Sequence, residues 1–239
     1  MLQKEDNIGI AAIGYYIPDG IITTEEIARR SNIPEHVIIE HIGMHEKHIA
    51  NEHETPSYMG TLAAQAALKK AGIPAEELDV IIYACAGLTD YTVWSSASKI
   101  QGIIGAKNAS CFEVRNGCGA GNLALHLCKN WLAASKKQHG LIVCAEGLSK
   151  LINYADQDTL SLFMIGDGAA AAVISKATTN RILEYASYTD GTLVDYVKIP
   201  GGGTVHFPGD DTYNKNFSFF NISDTKALTY IFDHVYLKN

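Results

Sequence analysis

The 239-residue chain has none of the features that mark membrane-spanning, secreted or nucleic-acid-binding proteins. Its longest unbroken apolar run covers only residues 80–86, whereas a membrane-spanning helix needs about 20 apolar residues. The first seven residues, MLQKEDN, have no apolar segment behind a basic start and do not resemble a secretory signal. The formal net charge is −7, without the basic excess that binding to nucleic acid requires. These absences predict a cytoplasmic protein that binds neither membranes nor nucleic acids.

Cysteine and histidine are spaced too irregularly to predict a disulfide framework or a zinc site. The five cysteines are odd in number and include no CxxC pair. Three of them lie in apolar, strand-like runs, where a thiol packs as a small hydrophobic group. These are Cys85, Cys111 and Cys144. His41, His45 and His48 would share one face of a helix, but Gly43 interrupts it, so the sequence predicts no bound metal.

Apolar runs alternate with helical patterns over the first two thirds of the chain. The fully apolar runs at residues 80–86 and 141–145 are typical of strands buried on both faces. Further strands are predicted at residues 8–13 and 110–114. Helices are predicted at residues 57–70, 97–104 and 120–134, and another is capped by Thr24. The alternation predicts an α/β fold with a mostly parallel sheet covered by helices on both faces.

The pattern changes after Gly166-Asp167-Gly168, where strand-like segments follow one another with little helix between them. The predicted strands are residues 169–175, 181–189, 196–199 and 217–222. An amphipathic helix is predicted at residues 227–237, with Ser223, Asp224 and Thr225 at its cap. No linker rich in proline, glycine or serine separates the two patterns, which favours one continuous domain.

The segment from Ser110 to Leu125 combines a strand, a glycine-rich turn and the start of a helix. Cys118 lies in that turn between Gly117 and Gly119, directly before the predicted helix. The helix dipole and unpaired backbone N–H groups there favour a thiolate, the nucleophilic form of cysteine. The spacing alone leaves two interpretations open, a nucleophile and a buried structural cysteine. A phosphate-binding loop is disfavoured because no Lys-Ser or Lys-Thr pair follows the glycines.

Five segments, together with the position of Cys118, resemble the ketoacyl-ACP synthase III (3-oxoacyl-[acyl-carrier-protein] synthase III) branch of the thiolase-like condensing enzymes. They occur in the family's order at compatible spacing, and the resemblance rests on the set rather than on any single motif; one of them is the Gly-Asp-Gly-Ala-Ala turn that begins at Gly166. The segments are residues 9–18, 43–50, 78–84, 166–170 and 199–203.

The resemblance implies a layered α/β/α/β/α fold made of two similar halves. Its first half would be residues 1–175, and residues 176–239 would be an incomplete second half. It also implies that an acyl thioester transfers its acyl group to Cys118. A malonyl-carrier thioester would then lose carbon dioxide and attack the acyl-enzyme, so that the nucleophilic cysteine divides one difficult reaction into two easier steps.

The same resemblance implies the surroundings of the nucleophile. Trp94 matches an aromatic residue that reaches from one subunit into the acyl pocket of the other, which implies a homodimer. Ile165, Gly202 and Gly203 match positions that line the substrate site. Acyl carrier protein is the implied partner, and an acyl-CoA or acyl-carrier thioester the implied substrate, without a tightly bound cofactor. The backbone N–H of Cys118 would form part of an oxyanion hole.

Two departures from the family pattern affect the expected activity. The family's Pro-His-Gln-Ala-Asn and Gly-Asn-Thr-Ser motifs do not occur in the chain, and neither His206 nor His234 matches them. We therefore expect a truncated or split enzyme whose isolated chain is impaired in condensation. In addition, Val37 and Thr159 occupy the positions of a tryptophan and an arginine that stack on the adenine of coenzyme A. Such stacking is impossible here, which favours a different donor or a carrier-bound acyl group.

Two alternatives to a condensing enzyme remain at this stage. The chain could be an acyltransferase that uses Cys118 without forming a carbon–carbon bond. It could also be a non-catalytic partner subunit of an intact synthase, although the retained cysteine argues against that. The residues determine neither the acyl chain length nor the pathway.

Overall fold

A computed structural model of the chain describes residues 7–176, 178–209 and 215–223. These residues form two compact units with interleaved sequences. Unit 1 comprises the described residues of Met1–Gly20, His48–Gly147 and Asp167–Tyr185. Unit 2 comprises those of Ile21–Lys47, Leu148–Gly166 and Ala186–Asn239. The predicted division at residue 175 remains a prediction, and the predicted helix at 227–237 with His234 lies outside the described residues.

The described residues form nine strands and five α-helices. The strands are β1 Gly9–Tyr16, β2 Ile21–Thr23, β3 Glu46–His48, β4 Val80–Cys85, β5 Ser110–Arg115, β6 His139–Glu146, β7 Gly168–Ser175, β8 Val197–Lys198 and β9 Asn221–Ile222. The helices are α1 Thr24–Ser31, α2 Glu35–Ile42, α3 Pro56–Ala71, α4 Ser96–Ile104 and α5 Ala120–Ala133. No helix in the described part of the chain has both the length and the apolarity that crossing a membrane requires.

Unit 1 is built on a five-stranded sheet with the order β1-β7-β6-β4-β5. Strand β4 is buried at all six positions, and successive side chains point to opposite faces. Ile81 and Tyr83 join the core on the face covered by α3 and α4, whereas Ile82 and Ala84 join the core beneath α5. Both faces of the sheet are therefore covered, as the continuous apolar runs predict.

The sheet is mixed: β1, β4, β5 and β6 run in one direction, as the prediction of a mostly parallel sheet expects, and β7 alone of the five strands runs against them. β4 is parallel to β5 and β6, but β7 is antiparallel to both β6 and β1. Glu146, the last residue of β6, pairs with Gly168, the first of β7, so the chain re-enters the sheet at the end where it left. An apolar strand is buried on both faces in either direction, so the burial pattern carries no information on strand direction.

Most of the predicted elements are present, and three differ. The predicted strand at 181–189 is reduced to a single bridge between Gly9 and Arg181, because the following residues have no partner strand among the described residues. The predicted strand at 217–222 is a 3-10 turn, Lys215–Ser218, followed by β9. The cap of α1 is Thr23 rather than Thr24, since the Thr23 hydroxyl accepts the Glu26 N–H at 3.3 Å.

Close packing of β1 on α3 gives a test of the fold. A Cβ atom on Gly14 would lie 2.3 Å from both the Ala63 carbonyl oxygen and the Ala67 nitrogen. These are backbone atoms that cannot move aside, so we expect Gly14→Ala to lower the free energy of unfolding by about 3 kcal/mol. The matched control is Gly102→Ala in α4, where nothing lies within 4 Å of the new Cβ. Alanine is the better helix former, so this control should gain about 1 kcal/mol. Urea unfolding measures both, and equal stability of the two variants would contradict the packing.

Candidate active site

Cys118 lies at the junction between β5 and α5. After Arg115 the chain passes through Asn116 into a 3-10 turn, Gly117–Gly119, and α5 begins at the next residue. Gly117 has a φ of +53°, a left-handed conformation that glycine adopts at least cost. The Gly119 N–H donates to the Asn116 carbonyl at 3.1 Å and closes the turn. The predicted arrangement of strand, glycine turn and helix is confirmed.

The turn leaves the Cys118 thiol at the surface of unit 1, near the positive end of a helix dipole. Cys118 is exposed, and the α5 N-cap position, Gly119, has no side chain that accepts from the first turn of the helix. The first N–H groups of a helix favour nearby negative charge. The Cys118 sulfur is therefore accessible at the point where the helix begins.

The other four cysteines differ from Cys118 in burial, and their chemistry differs with it. Burial raises the pKa of Cys85 to about 11 and that of Cys128 to about 12. It also raises the pKa of Cys111 and of Cys144. Removal from water disfavours the thiolate, so all four are neutral and poorly nucleophilic at neutral pH. The packing role that the sequence predicts for Cys85, Cys111 and Cys144 agrees with this burial.

Glu146 is a notable residue that the sequence analysis missed. It ends β6, and burial raises the pKa of its carboxyl to about 7. Its Oε1 atom accepts the backbone N–H of Ala86, which follows β4. Its Oε2 atom is buried and has no hydrogen-bond partner among the described residues. The available signal was a carboxylate directly after the apolar run at residues 141–145, since buried charge of this kind is often functional.

The packing of α5 on β6 places Cys118 and Glu146 at the same edge of the sheet. An ideal Cβ on Gly121 would lie 3.2 Å from the Cys144 sulfur, and one on Gly140 would lie 2.3 Å from the Cys128 sulfur. Helix and strand therefore run antiparallel. Cys118 precedes Gly121 by about 4.5 Å of helix, and Glu146 follows Cys144 by about 7 Å of strand on the same face. Both displacements point to the carboxyl-terminal edge of β4, β5 and β6.

The predicted substrate-binding residues are divided between the two units. Trp94 lies in unit 1, half-buried in the segment between β4 and α4. Its ring packs edge-on against the ring of Tyr91, with the two ring centroids 5.5 Å apart. Ile165 belongs to unit 2, and its carbonyl accepts from the Lys47 ammonium at 2.7 Å. Gly202 and Gly203 also belong to unit 2, in an irregular segment where Gly202 has a φ of +90°. Their roles in substrate binding remain predictions.

The positions with altered or unmatched residues also lie in unit 2. Thr159 is buried, and its hydroxyl donates to the Asp156 carbonyl at 2.8 Å. Val37 is half-buried in α2. The ring of His206 packs on Phe217 with centroids 4.4 Å apart. Gly43 ends α2, which confirms the predicted interruption of the histidine face. The described residues include no cluster of three or more metal-ligating side chains.

Comparison with known proteins identifies relatives of this arrangement. The family model described as 3-oxoacyl-[acyl-carrier-protein (ACP)] synthase III matches residues 112–191, which include Cys118. A β-ketoacyl-[acyl-carrier-protein] synthase III of Campylobacter curvus is 32% identical over 220 residues, 92% of this chain and 65% of the relative. The chain thus spans just under two thirds of that relative's length.

Solved structures agree in fold. The 3-oxoacyl-[acyl-carrier-protein] synthase III of Aquifex aeolicus matches with a TM-score of 0.78 and 26% identity, over 95% of this chain and 66% of that one. The priming β-ketosynthase of the R1128 polyketide pathway has a TM-score of 0.85 at 21% identity, over 98% and 69% of the two chains. The thiolase-like α/β fold that the sequence predicts is therefore confirmed.

Differences in thiol burial give a test that needs no substrate. We expect iodoacetamide to alkylate one cysteine of the native protein at least about tenfold faster than the others, because burial shields the other four thiols and raises the pKa of each. Intact-mass measurement over time should show a single fast adduct, which Cys118→Ser should abolish. Cys111→Ser is the matched control and should leave that adduct unchanged. A fast adduct that persists in Cys118→Ser would contradict the site.

Proposed function

Because the chain belongs to the β-ketoacyl-ACP synthase III family, we propose that Cys118 is the acyl acceptor of a condensing enzyme. The observation that carries the proposal is the exposed thiol of Cys118 at the start of α5, where the other four thiols are wholly or partly buried. Its thiolate attacks the carbonyl carbon of an acyl thioester, a sulfur–carbon bond forms, and the donor leaves as a thiol after gaining a proton. This is nucleophilic catalysis by an activated cysteine.

The developing negative charge on the carbonyl oxygen requires hydrogen-bond donors. The backbone N–H of Cys118 supplies one of them, since it lies in the turn that leads into α5. Donors already fixed in place stabilise a tetrahedral intermediate without reorganising, an effect worth about 3 kcal/mol per donor. The glycines on either side present no side chain to an acyl group that approaches the sulfur.

Condensation is the second step of the proposed reaction. A malonyl-carrier thioester loses carbon dioxide, and its carbanion attacks the carbonyl carbon of the acyl-enzyme and releases Cys118. The relatives are named as synthases of the acyl-carrier-protein type, which favours this reaction and acyl carrier protein as partner over transfer alone or a non-catalytic subunit. The family's histidine and asparagine motifs do not occur in these 239 residues, so only the transfer step is assigned to residues here.

Trp94, Ile165, Gly202 and Gly203 are the residues proposed to bind the substrate. Trp94 limits the acyl chain length, and the two glycines accommodate the substrate without side chains. The donor is an acyl-CoA or an acyl-carrier thioester, with no tightly bound cofactor. Val37 and Thr159 offer no aromatic or guanidinium surface to an adenine ring, which supports the carrier-bound donor. We place this reaction in the cytoplasm.

A homodimer is proposed from the edge of the sheet in unit 1. β5 is the last strand in the order and has β4 as its partner among the described strands. An unpaired strand edge readily pairs with another chain. In the segment between β4 and α4, Tyr91 and Val93 are exposed by 69% and 107%, an unusual amount for large apolar side chains. A second copy would cover these groups and bring its Trp94 to the partner's acyl site.

Acyl transfer can be measured directly. We expect incubation with short acyl thioesters to add one acyl group to the protein by intact mass, because Cys118 is the one exposed cysteine of the five. Cys118→Ala should reduce this adduct by at least about 100-fold. Cys128→Ala, which removes a buried thiol, is the control and should retain it. An adduct that survives Cys118→Ala would disprove the assignment.

Dimer formation makes a separate prediction. We expect light scattering at micromolar concentration to give twice the mass of the chain. A buried unpaired charge is costly, so Val93→Asp should weaken the dimer at least about tenfold. Val205→Asp places the same charge at an exposed valine of unit 2 and is the matched control. A wild-type monomer would contradict the proposed interface.

A further inference from the structure

We propose that Glu146 is a second catalytic residue of the Cys118 site, whose carboxyl donates a hydrogen bond to an oxygen of the bound acyl thioester. The inference rests on the proposed acyl transfer and extends it. Two observations carry it. The Oε2 atom is enclosed and has no hydrogen-bond partner in the part of the chain that the structure describes, and Glu146 lies at the edge of the sheet where α5 begins.

The carboxyl is held in one orientation by the backbone. Ala86 donates its N–H to Oε1, which fixes Glu146 across the ends of β4 and β6. A neutral carboxyl has one acceptor oxygen and one O–H donor, so Oε2 is the natural position of the proton. A buried polar atom without a partner is costly, by about 1–3 kcal/mol. A substrate oxygen that accepted from this O–H would remove that cost on binding.

The surroundings of the carboxyl decide its charge. The titratable groups that interact electrostatically with it are Tyr83 and Cys85 of β4 and Cys144 of β6. Burial first, and the nearby Glu146 carboxylate second, raise the pKa of each above its ordinary value. All three are neutral at pH 7. Beyond them, Glu113 and Arg115 of β5 act on Cys85, and Asp90 acts on Tyr83. The first turn of α5, residues 120–123, contains no ionisable side chain.

Because it is buried, the Glu146 carboxyl ionises near neutral pH, where enzymes commonly work. The pKa of about 7 means that Glu146 is largely protonated at pH 6 and largely ionised at pH 8. The protonated form offers a donor to a thioester oxygen, whereas the ionised form offers a negative charge instead. We expect the contribution of Glu146 to acyl transfer to be lost as the pH rises through about 7.

The experiment compares wild type with Glu146→Gln. The glutamine keeps a carbonyl acceptor for the Ala86 N–H and presents an amide donor that does not titrate. Rates of acylation by S-acetyl-N-acetylcysteamine are followed by intact mass at pH 6, 7 and 8. The ratio of wild-type to variant rate cancels the ionisation of the Cys118 thiol. This ratio should fall about tenfold between pH 6 and pH 8, as the protonated fraction of Glu146 does.

Alkylation of Cys118 by iodoacetamide is the second readout, since it requires the thiolate but no thioester oxygen. Its wild-type to variant ratio should remain within about twofold over the same pH range. A parallel fall in both ratios would overturn the proposal, because Glu146 would then act on the sulfur. A constant acylation ratio would overturn it as well, since Glu146 would only hold Ala86 in place.

The wild-type protein alone gives the same answer if the variant does not fold. Its ratio of acylation rate to alkylation rate should fall about tenfold from pH 6 to pH 8. A ratio that does not change with pH would overturn the inference and leave the proposed acyl transfer intact. Alkylation of Cys118 without acylation at any pH would instead overturn the proposed function, and this inference with it.

Discussion

The antiparallel packing of α5 against β6 is the constraint on which the site in unit 1 depends. Gly121 admits the Cys144 sulfur at one end of the contact, and Gly140 admits the Cys128 sulfur at the other. A Cβ atom at Gly140 would overlap the Cys128 sulfur at 2.3 Å, and one at Gly121 would press on the Cys144 sulfur at 3.2 Å, so a larger residue at Gly140 in particular would push helix and strand apart. These two glycines thus set the distance between α5 and β6, and with it the position of the first turn of α5 at the edge of the sheet.

Burial also gives the five cysteine thiols different chemical properties. Five identical thiols fold into positions where one is exposed at a helix start and four are shielded from water to different degrees. The difference in reactivity follows from solvation rather than from sequence neighbours alone. The same shielding acts in the opposite sense on Glu146, where it keeps an acid neutral at a pH at which acids are ordinarily ionised.

The sequence predicts the elements better than their arrangement. Apolar runs locate β4 and β6, and the glycines around Cys118 locate the turn, because these are local properties of the chain. The antiparallel direction of β7 depends on where the segment after Glu146 returns to the sheet, which burial does not encode. Glu146 itself was missed because a single glutamate after a strand becomes unusual only once its carboxyl is enclosed by residues distant in sequence. The strand predicted at 181–189 fails for a related reason, since alternation of apolar and polar residues produces a strand only beside an available partner.

The strand order determines when each strand can pair during synthesis on the ribosome. β1 is the first strand of the sheet to be synthesised, yet its ladder is with β7, where Gly9 pairs with Ser175. The strands β4, β5 and β6 and the helices between them emerge after β1 but before β7, and they can pair with one another. β1 has to wait until more than 150 further residues have emerged, a long loop to close. Until then the strand exposes apolar side chains and unpaired backbone groups, which are the features that chaperones bind.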